Sequence, residues 1–213
     1  SQSKKMPSSL DRGGKALKRE SGYRARSALK LQALDDDYSG GLLRGAEAIV
    51  DLCAAPGSWC QVARERAAPA SRIVAVDLVH IAPLEGVTFL RGDVTTAATA
   101  DAVASALRGK LADLVLCDGA AEVTGLADLD EHLHSHLLLA VVRLTESVLR
   151  PGGSLVAKVF RSGDGRLLRS QLRLLFAQVD FRKPPASRDR SSEAFVVCRG
   201  FVPRRPTTLD DGA

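Results

Sequence analysis

The chain has 213 residues, 45% hydrophobic and 26% charged, enough for one globular domain with a sizeable core. No run approaches the roughly 18 consecutive apolar residues of a membrane-spanning helix, and no signal-peptide-like apolar stretch follows the basic start, so neither a span nor a secretory signal is expected. The net charge of +5 is uneven: residues 1–30 hold nine Lys/Arg against Asp11 and Glu20, a balance of +7 that leaves −2 for the remainder.

In chain order, residues 1–10 read as a disordered tail or an expression remnant. Asp11 to Asp37 reads as a basic helical extension, with Ala25, Ala28, Leu29, Leu31 and Leu34 giving helix formers and an apolar stripe, and Gly40-Gly41 ending it. Strands are expected at Ala48–Cys53, Arg72–Asp77, Val87–Leu90, Leu111–Cys117, Ser154–Phe160, Val179–Phe181 and Ala194–Phe201. Helices are expected between them at Trp59–Arg66, Ala97–Leu107, Leu129–Leu149 and Asp164–Gln178, with Pro151-Gly152-Gly153 stopping the longest. The alternation predicts an α/β fold, a doubly wound, mostly parallel seven-stranded sheet spanning residues 11–203, with a loose tail over 204–213. Arg161 to Arg190 forms a second basic stretch, and two such stretches suit a polyanion. Cys53, Cys60, Cys117 and Cys198 lack Cys-x-x-Cys spacing and read as buried free thiols of a cytoplasmic or nuclear protein.

The chemistry gathers at strand ends. The turn Asp51-Leu52-Cys53-Ala54-Ala55-Pro56-Gly57-Ser58-Trp59 offers small residues for close backbone approach and Ser58 as a helix cap, but it matches neither a dinucleotide fingerprint nor a triphosphate loop. Asp77 ends the second strand, where a carboxylate can accept from ribose hydroxyls, and Asp93 follows the third. Acids around one glycine turn favour an adenosine-bearing cofactor without a pyrophosphate, a description that fits S-adenosylmethionine. Lys30, Asp118, Lys158 and Glu193 sit at the edges of expected elements, and two ammonium groups with two carboxylates are costly to gather unless they pair. His132 and His136, four apart in His132-Leu133-His134-Ser135-His136, could share a metal, but without a third ligand a solvated helix face is the better reading, and no metal is expected.

These pieces resemble the FtsJ family of RNA ribose 2′-O-methyltransferases. The likeness rests on Gly22–Lys30, Asp51–Trp59, Val76-Asp77-Leu78, Gly92-Asp93-Val94, Cys117-Asp118-Gly119-Ala120, Ala157-Lys158-Val159-Phe160 and Arg188–Phe201, and covers roughly residues 11–203. Val123-Thr124-Gly125-Leu126, Asp128–Glu131 and Ser191–Cys198 resemble its eukaryotic branch, which acts on the tRNA anticodon loop; an rRNA 2′-O-ribose methyltransferase of the same family is the alternative. The resemblance implies a Rossmann-like S-adenosylmethionine-dependent fold, cofactor contacts at Gly57, Trp59, Asp77, Asp93 and Asp118, and a catalytic tetrad of Lys30, Asp118, Lys158 and Glu193. It also implies an auxiliary protein subunit that presents tRNA. The chain departs from the family at Ala121, where a proline is usual, which predicts a less rigid loop after Asp118.

For mechanism, the methyl of a sulfonium is already activated, so the enzyme has to align the ribose oxygen and remove its proton. Lys158 is the expected proton acceptor; the competing role keeps it charged, orienting the hydroxyl. Arg24 and Arg26, near the start of the Lys30 helix, are expected to contact RNA phosphate at the mouth of the site.

Overall fold

The computed structural model describes residues 22–120, 124–125, 127–160, 165–185 and 192–204. The expected tails, the departure at Ala121, and Arg161, Arg188 and Arg190 lie outside them.

Seven strands form one sheet: β1 (Ala48–Leu52), β2 (Arg72–Asp77), β3 (Val87–Arg91), β4 (Ala112–Cys117), β5 (Leu149–Phe160), β6 (Phe176–Arg182) and β7 (Glu193–Phe201), in the order β3-β2-β1-β4-β5-β7-β6. The central pairs are parallel, and β7 runs antiparallel to both β5 and β6. This is the mostly parallel sheet the alternation predicts. Its middle strands are largely apolar because both faces are covered, as parallel sheets require, with Asp51 of β1 buried among them. Helices α1 (Ala28–Asp36) and α2 (Ser58–Arg66) cover one face, packing Leu31, Leu34, Trp59 and Val62 against Ile49, Leu116 and Phe195. Helices α3 (Ala97–Ala106), α4 (Ala127–Val148) and α5 (Gly165–Leu172) cover the other, where Val103, Leu138, Val141, Leu144 and Leu172 meet Val50, Val115 and Leu155.

Several expected boundaries move. Residues 22–23 are irregular and 24–27 bends and turns, not helix, and α1 starts at Ala28, because bonds to the sequence-distant α2 hold this segment: the Arg24 amide donates to Gln61 Oε1 at 2.8 Å. Pro151-Gly152-Gly153 lies inside the irregular start of β5, whose pairing with β4 shifts register between Ala112 and Leu114. The helix expected to Gln178 ends at Leu172, and β6 opens at Phe176: Phe176, Leu175 and Val179 are buried in the sheet core, so burial overrides local helix propensity. β1 stops one residue short because Cys53 takes a left-handed φ of 55°. No described helix is long and apolar enough to cross a membrane.

Candidate active site

The sheet topology explains why four distant charges meet. β4 and β5 are parallel neighbours, so Asp118, just after β4, and Lys158, near the end of β5, share one sheet edge. β7 enters antiparallel from that same edge, and its first residue, Glu193, pairs in register with Phe160. Lys30 arrives from α1 on the covering layer. Lys158 Nζ donates to the Asp118 carbonyl oxygen at 2.7 Å and lies 3.1 Å from Asp118 Oδ1 and 3.8 Å from Glu193 Oε2. Lys30 Nζ donates to Glu193 Oε1. All four side chains are 12–17% exposed, a balanced set of two cations and two carboxylates at a partly desolvated edge. Each charge has an opposite partner, which makes the burial tolerable.

Beside this group lies a cavity of about 1170 Å³, lined by Cys53, Ala55, Asp77, Asp93, Asp118 and Lys158, and by Leu133, Leu137 and Ala140 of α4. Asp77 accepts from the Ala55 amide through Oδ2 and from the Val79 amide through Oδ1, each at 2.8 Å, which ties the end of β2 to the first βα turn. Asp93, two residues beyond β3, accepts from the Thr95 amide at 2.8 Å and the Thr95 hydroxyl at 2.7 Å. These bonds hold its carboxyl below the usual carboxylate range.

The turn differs in detail from expectation. Gly57 is the N-cap of α2, with φ of 97°, and Ser58 is the first helical residue, its hydroxyl 2.8 Å from that of Ser27 rather than capping. A β-carbon at Gly57 would lie 2.8 Å from Arg24 Nη1, so the space that glycine leaves open faces Arg24. A β-carbon at Gly119 would lie 2.6 Å from Cys53 Cβ; this glycine lets the chain after Asp118 close onto the turn. Trp59 is 2% exposed, its ring centroid 5.6 Å from that of Phe195 and its Nε1 donating to the Ser27 carbonyl at 2.9 Å. Its indole is core, and neither Gly57 nor Trp59 lines the cavity.

Arg24 does not project freely. Nη1 donates to the carbonyls of Pro56 (3.1 Å) and Ala82 (2.7 Å), and Nη2 to that of Pro83 (2.9 Å). Arg26 is half-buried on the same segment. His132 and His136 are exposed with ring centroids 4.4 Å apart, whereas His134 between them is buried with Nε2 3.2 Å from the Lys158 carbonyl; burial lowers its pKa. No group of three or more metal-ligating side chains occurs among the described residues. All four cysteines are free thiols, three buried and Cys53 half-buried.

Asp51, read above only as the start of the βα turn, does not line the cavity. It is fully buried between Ala75 of β2 and Leu116 of β4, with Cys60 Sγ donating to Oδ2 at 2.9 Å and Oδ1 without a hydrogen-bond partner among the described residues. Burial, reinforced by the charges of Asp118 and Asp77, pushes its carboxyl up to about 7, against the bond from Cys60. Between its ordinary pKa of 3.8 and that value the folded chain keeps a proton the unfolded chain has released, so this group's contribution to stability falls as pH rises through the window. Asp51→Asn is therefore expected to gain on the parent chain between pH 5 and pH 8, by at most about 1.4 kcal/mol per pH unit within the window. Urea unfolding at both pH values measures this; an equal difference at each would mean that Asp51 is not held neutral.

The sequence model of the FtsJ-like methyltransferase family matches residues 23–201. The chain is 48% identical over 189 residues to a Mus musculus protein named tRNA (cytidine(32)/guanosine(34)-2′-O)-methyltransferase, covering 88% of this chain and 58% of that one. A protein of the same name from Schizosaccharomyces pombe is 48% identical over 197 residues, covering 88% of this chain and 68% of that one. An AdoMet-dependent rRNA methyltransferase of Neurospora crassa is 44% identical over 197 residues, 91% of this chain but 24% of that one. A crystal structure from Plasmodium falciparum, described as a ribosomal RNA methyltransferase, superposes with a TM-score of 0.75 at 27% identity, covering 85% of this chain and all of that one. The chain spans a little over half the length of the first relatives it matches.

Proposed function

The chain belongs to the FtsJ-like methyltransferase family, and on that footing we propose that it methylates ribose 2′-hydroxyls in the tRNA anticodon loop, using S-adenosylmethionine. The observation that carries this reading is Lys158 at the cavity wall, its Nζ within reach of Asp118 and Glu193, beside the strand-end acids Asp77 and Asp93. The named activity of the Mus musculus and Schizosaccharomyces pombe relatives supports tRNA.

The residues present suit the cofactor. The cavity exceeds a typical small-ligand pocket of about 300–1,000 Å³. Asp77 would hold ribose hydroxyls, Asp93 an adenine edge, and the first helical amides of α2, at Ser58 and Trp59, a carboxylate. When bound, the cofactor supplies an electrophilic methyl.

The chain's residues then align an acceptor oxygen and take its proton. Once the Lys158 ammonium has given a proton to solvent, its Nζ receives the 2′-hydroxyl proton as the oxygen gains the methyl. The resulting ammonium donates to Asp118 O and has the carboxylates of Asp118 and Glu193 as counter-charges, at 3.1 and 3.8 Å. Glu193 also holds Lys30, so a second cation completes the set without approaching Lys158 directly. Arg26 and the basic stretches supply phosphate attraction, and a separate protein subunit presenting the tRNA completes the binding surface.

Nucleotide-resolution mapping of ribose methylation in cells lacking this protein tests the reading. Loss at tRNA positions 32 or 34, restored by the wild-type gene, is the expected result. Intact tRNA methylation with loss in rRNA would replace it with the rRNA activity that the Neurospora crassa relative's name carries.

A further inference from the structure

We infer that Arg24 is a positioning residue for the cofactor, a brace across the back of the cofactor turn, and not a phosphate ligand. This rests on the function proposed above.

The guanidinium reaches two separate loops. Its Nη1 bonds the Pro56 carbonyl in the first βα turn, and its Nη1 and Nη2 bond the Ala82 and Pro83 carbonyls in the loop after β2. The first loop leads into the Gly57–Trp59 amides; the second follows Asp77, Leu78 and Val79, which line the cavity. One planar fork thus fixes the spacing of two cavity walls. The seat is built for it. Gly57 has no β-carbon, and one placed there would lie 2.8 Å from Nη1. Ile81 and Leu84 flank the same spot, at 3.5 and 3.3 Å from that position, so the contact is closed on the apolar side too.

The Arg24 segment is pinned along its length. The Arg24 amide donates to Gln61 Oε1, the Ser27 hydroxyl meets that of Ser58 at 2.8 Å, and the Ser27 carbonyl accepts from Trp59 Nε1. Three residues later the chain delivers Lys30 to Glu193. A stretch of seven residues therefore joins the back of the cofactor turn to the tetrad. Three carbonyl bonds leave the guanidinium poorly free to follow a mobile RNA backbone, whereas a preorganised turn lowers the ordering cost of binding a small ligand.

The test separates cofactor from RNA. Arg24→Ala is expected to raise KM for S-adenosylmethionine by roughly 10- to 100-fold, the loss of a preorganised site, with kcat at saturating cofactor and KM for tRNA within about threefold of wild type. Arg24→Lys keeps the charge but not the fork, so it should not restore cofactor KM. Unchanged cofactor KM overturns the inference, as does rescue by lysine. So does weakened tRNA binding whose log–log salt slope falls by about one, the signature of a lost phosphate contact. If Arg24→Ala does not fold, as judged by circular dichroism, the same split is read from Arg24→Gln and Arg24→Lys. Calorimetry with S-adenosylhomocysteine keeps the two readings apart. A wild-type chain that does not bind it overturns the function; wild type and Arg24→Ala binding it equally overturn the brace alone.

Discussion

Lys158→Met is expected to lower methyl transfer to tRNA by about 10²–10⁴-fold, the usual share of a positioned acid–base group, while affinity for S-adenosylhomocysteine stays within about threefold. Methionine keeps the length and apolar stem and removes the one group that touches Asp118 Oδ1, the Asp118 carbonyl and Glu193 Oε2. The strand-end acids Asp77 and Asp93, which line the cavity, are held by bonds to Ala55, Val79 and Thr95 that do not pass through Lys158, so their geometry survives. Single-turnover assays with saturating cofactor isolate the chemical step. Activity within tenfold of wild type would sink the assignment. Two roles remain distinct in the pH–rate profile: a proton acceptor gives an ascending limb that disappears in Lys158→Met, and an orienting ammonium gives none.

The second large effect is on stability. Trp59→Ala is expected to cost about 3–5 kcal/mol, the range for truncating a fully buried large aromatic. Trp59 is buried on α2 against Phe195, the ring over which Lys30 Nζ sits 5.8 Å from the centroid, and it donates to the Ser27 carbonyl. Truncation leaves a cavity between helix layer and sheet, removes the indole donor from the Ser27 carbonyl, and loosens the segment leading to Lys30. Urea unfolding followed by far-ultraviolet circular dichroism measures it, since Trp59 is the only tryptophan. A loss below about 1 kcal/mol would mean that the indole is not the core anchor it is described as here. Trp59→Phe, which keeps the backbone amide and most of the packing, should bind cofactor nearly as well as wild type.

Much of the architecture was legible in the chain because parallel strands buried on both faces must be apolar throughout and helices must be striped. Leu114-Val115-Leu116-Cys117, Leu155-Val156-Ala157 and Ala194-Phe195-Val196-Val197 read on that ground as neighbours in one parallel sheet; β4, β5 and β7 do lie side by side, but β7 runs antiparallel. The edges of elements were less legible. The segment from Gly22 to Ser27 carries helix formers, yet bonds from Gln61, Ser58 and Trp59 hold it open. Gln171 to Gln178 fits a helical pattern, yet Phe176 and Val179 are drawn into the sheet. In both cases a partner distant in sequence outweighs a preference of a few tenths of a kcal/mol per residue.

The site divides along the same line. Residue type and position sufficed to pick out Lys30, Asp118, Lys158 and Glu193, because charges at strand ends are conspicuous and their cost demands pairing. Asp77 and Asp93 were visible for the same reason. Direction was not. Whether Trp59 turns its ring to a ligand or to the core, whether Arg24 reaches phosphate or three carbonyls, and whether Asp51 is solvated or sealed beneath the turn depend on which groups a folded chain brings within hydrogen-bond distance. A sequence states the inventory of donors, acceptors and apolar surface. Only the packing of β1, β2 and β4 against α2, and the antiparallel entry of β7, decides which of them meet.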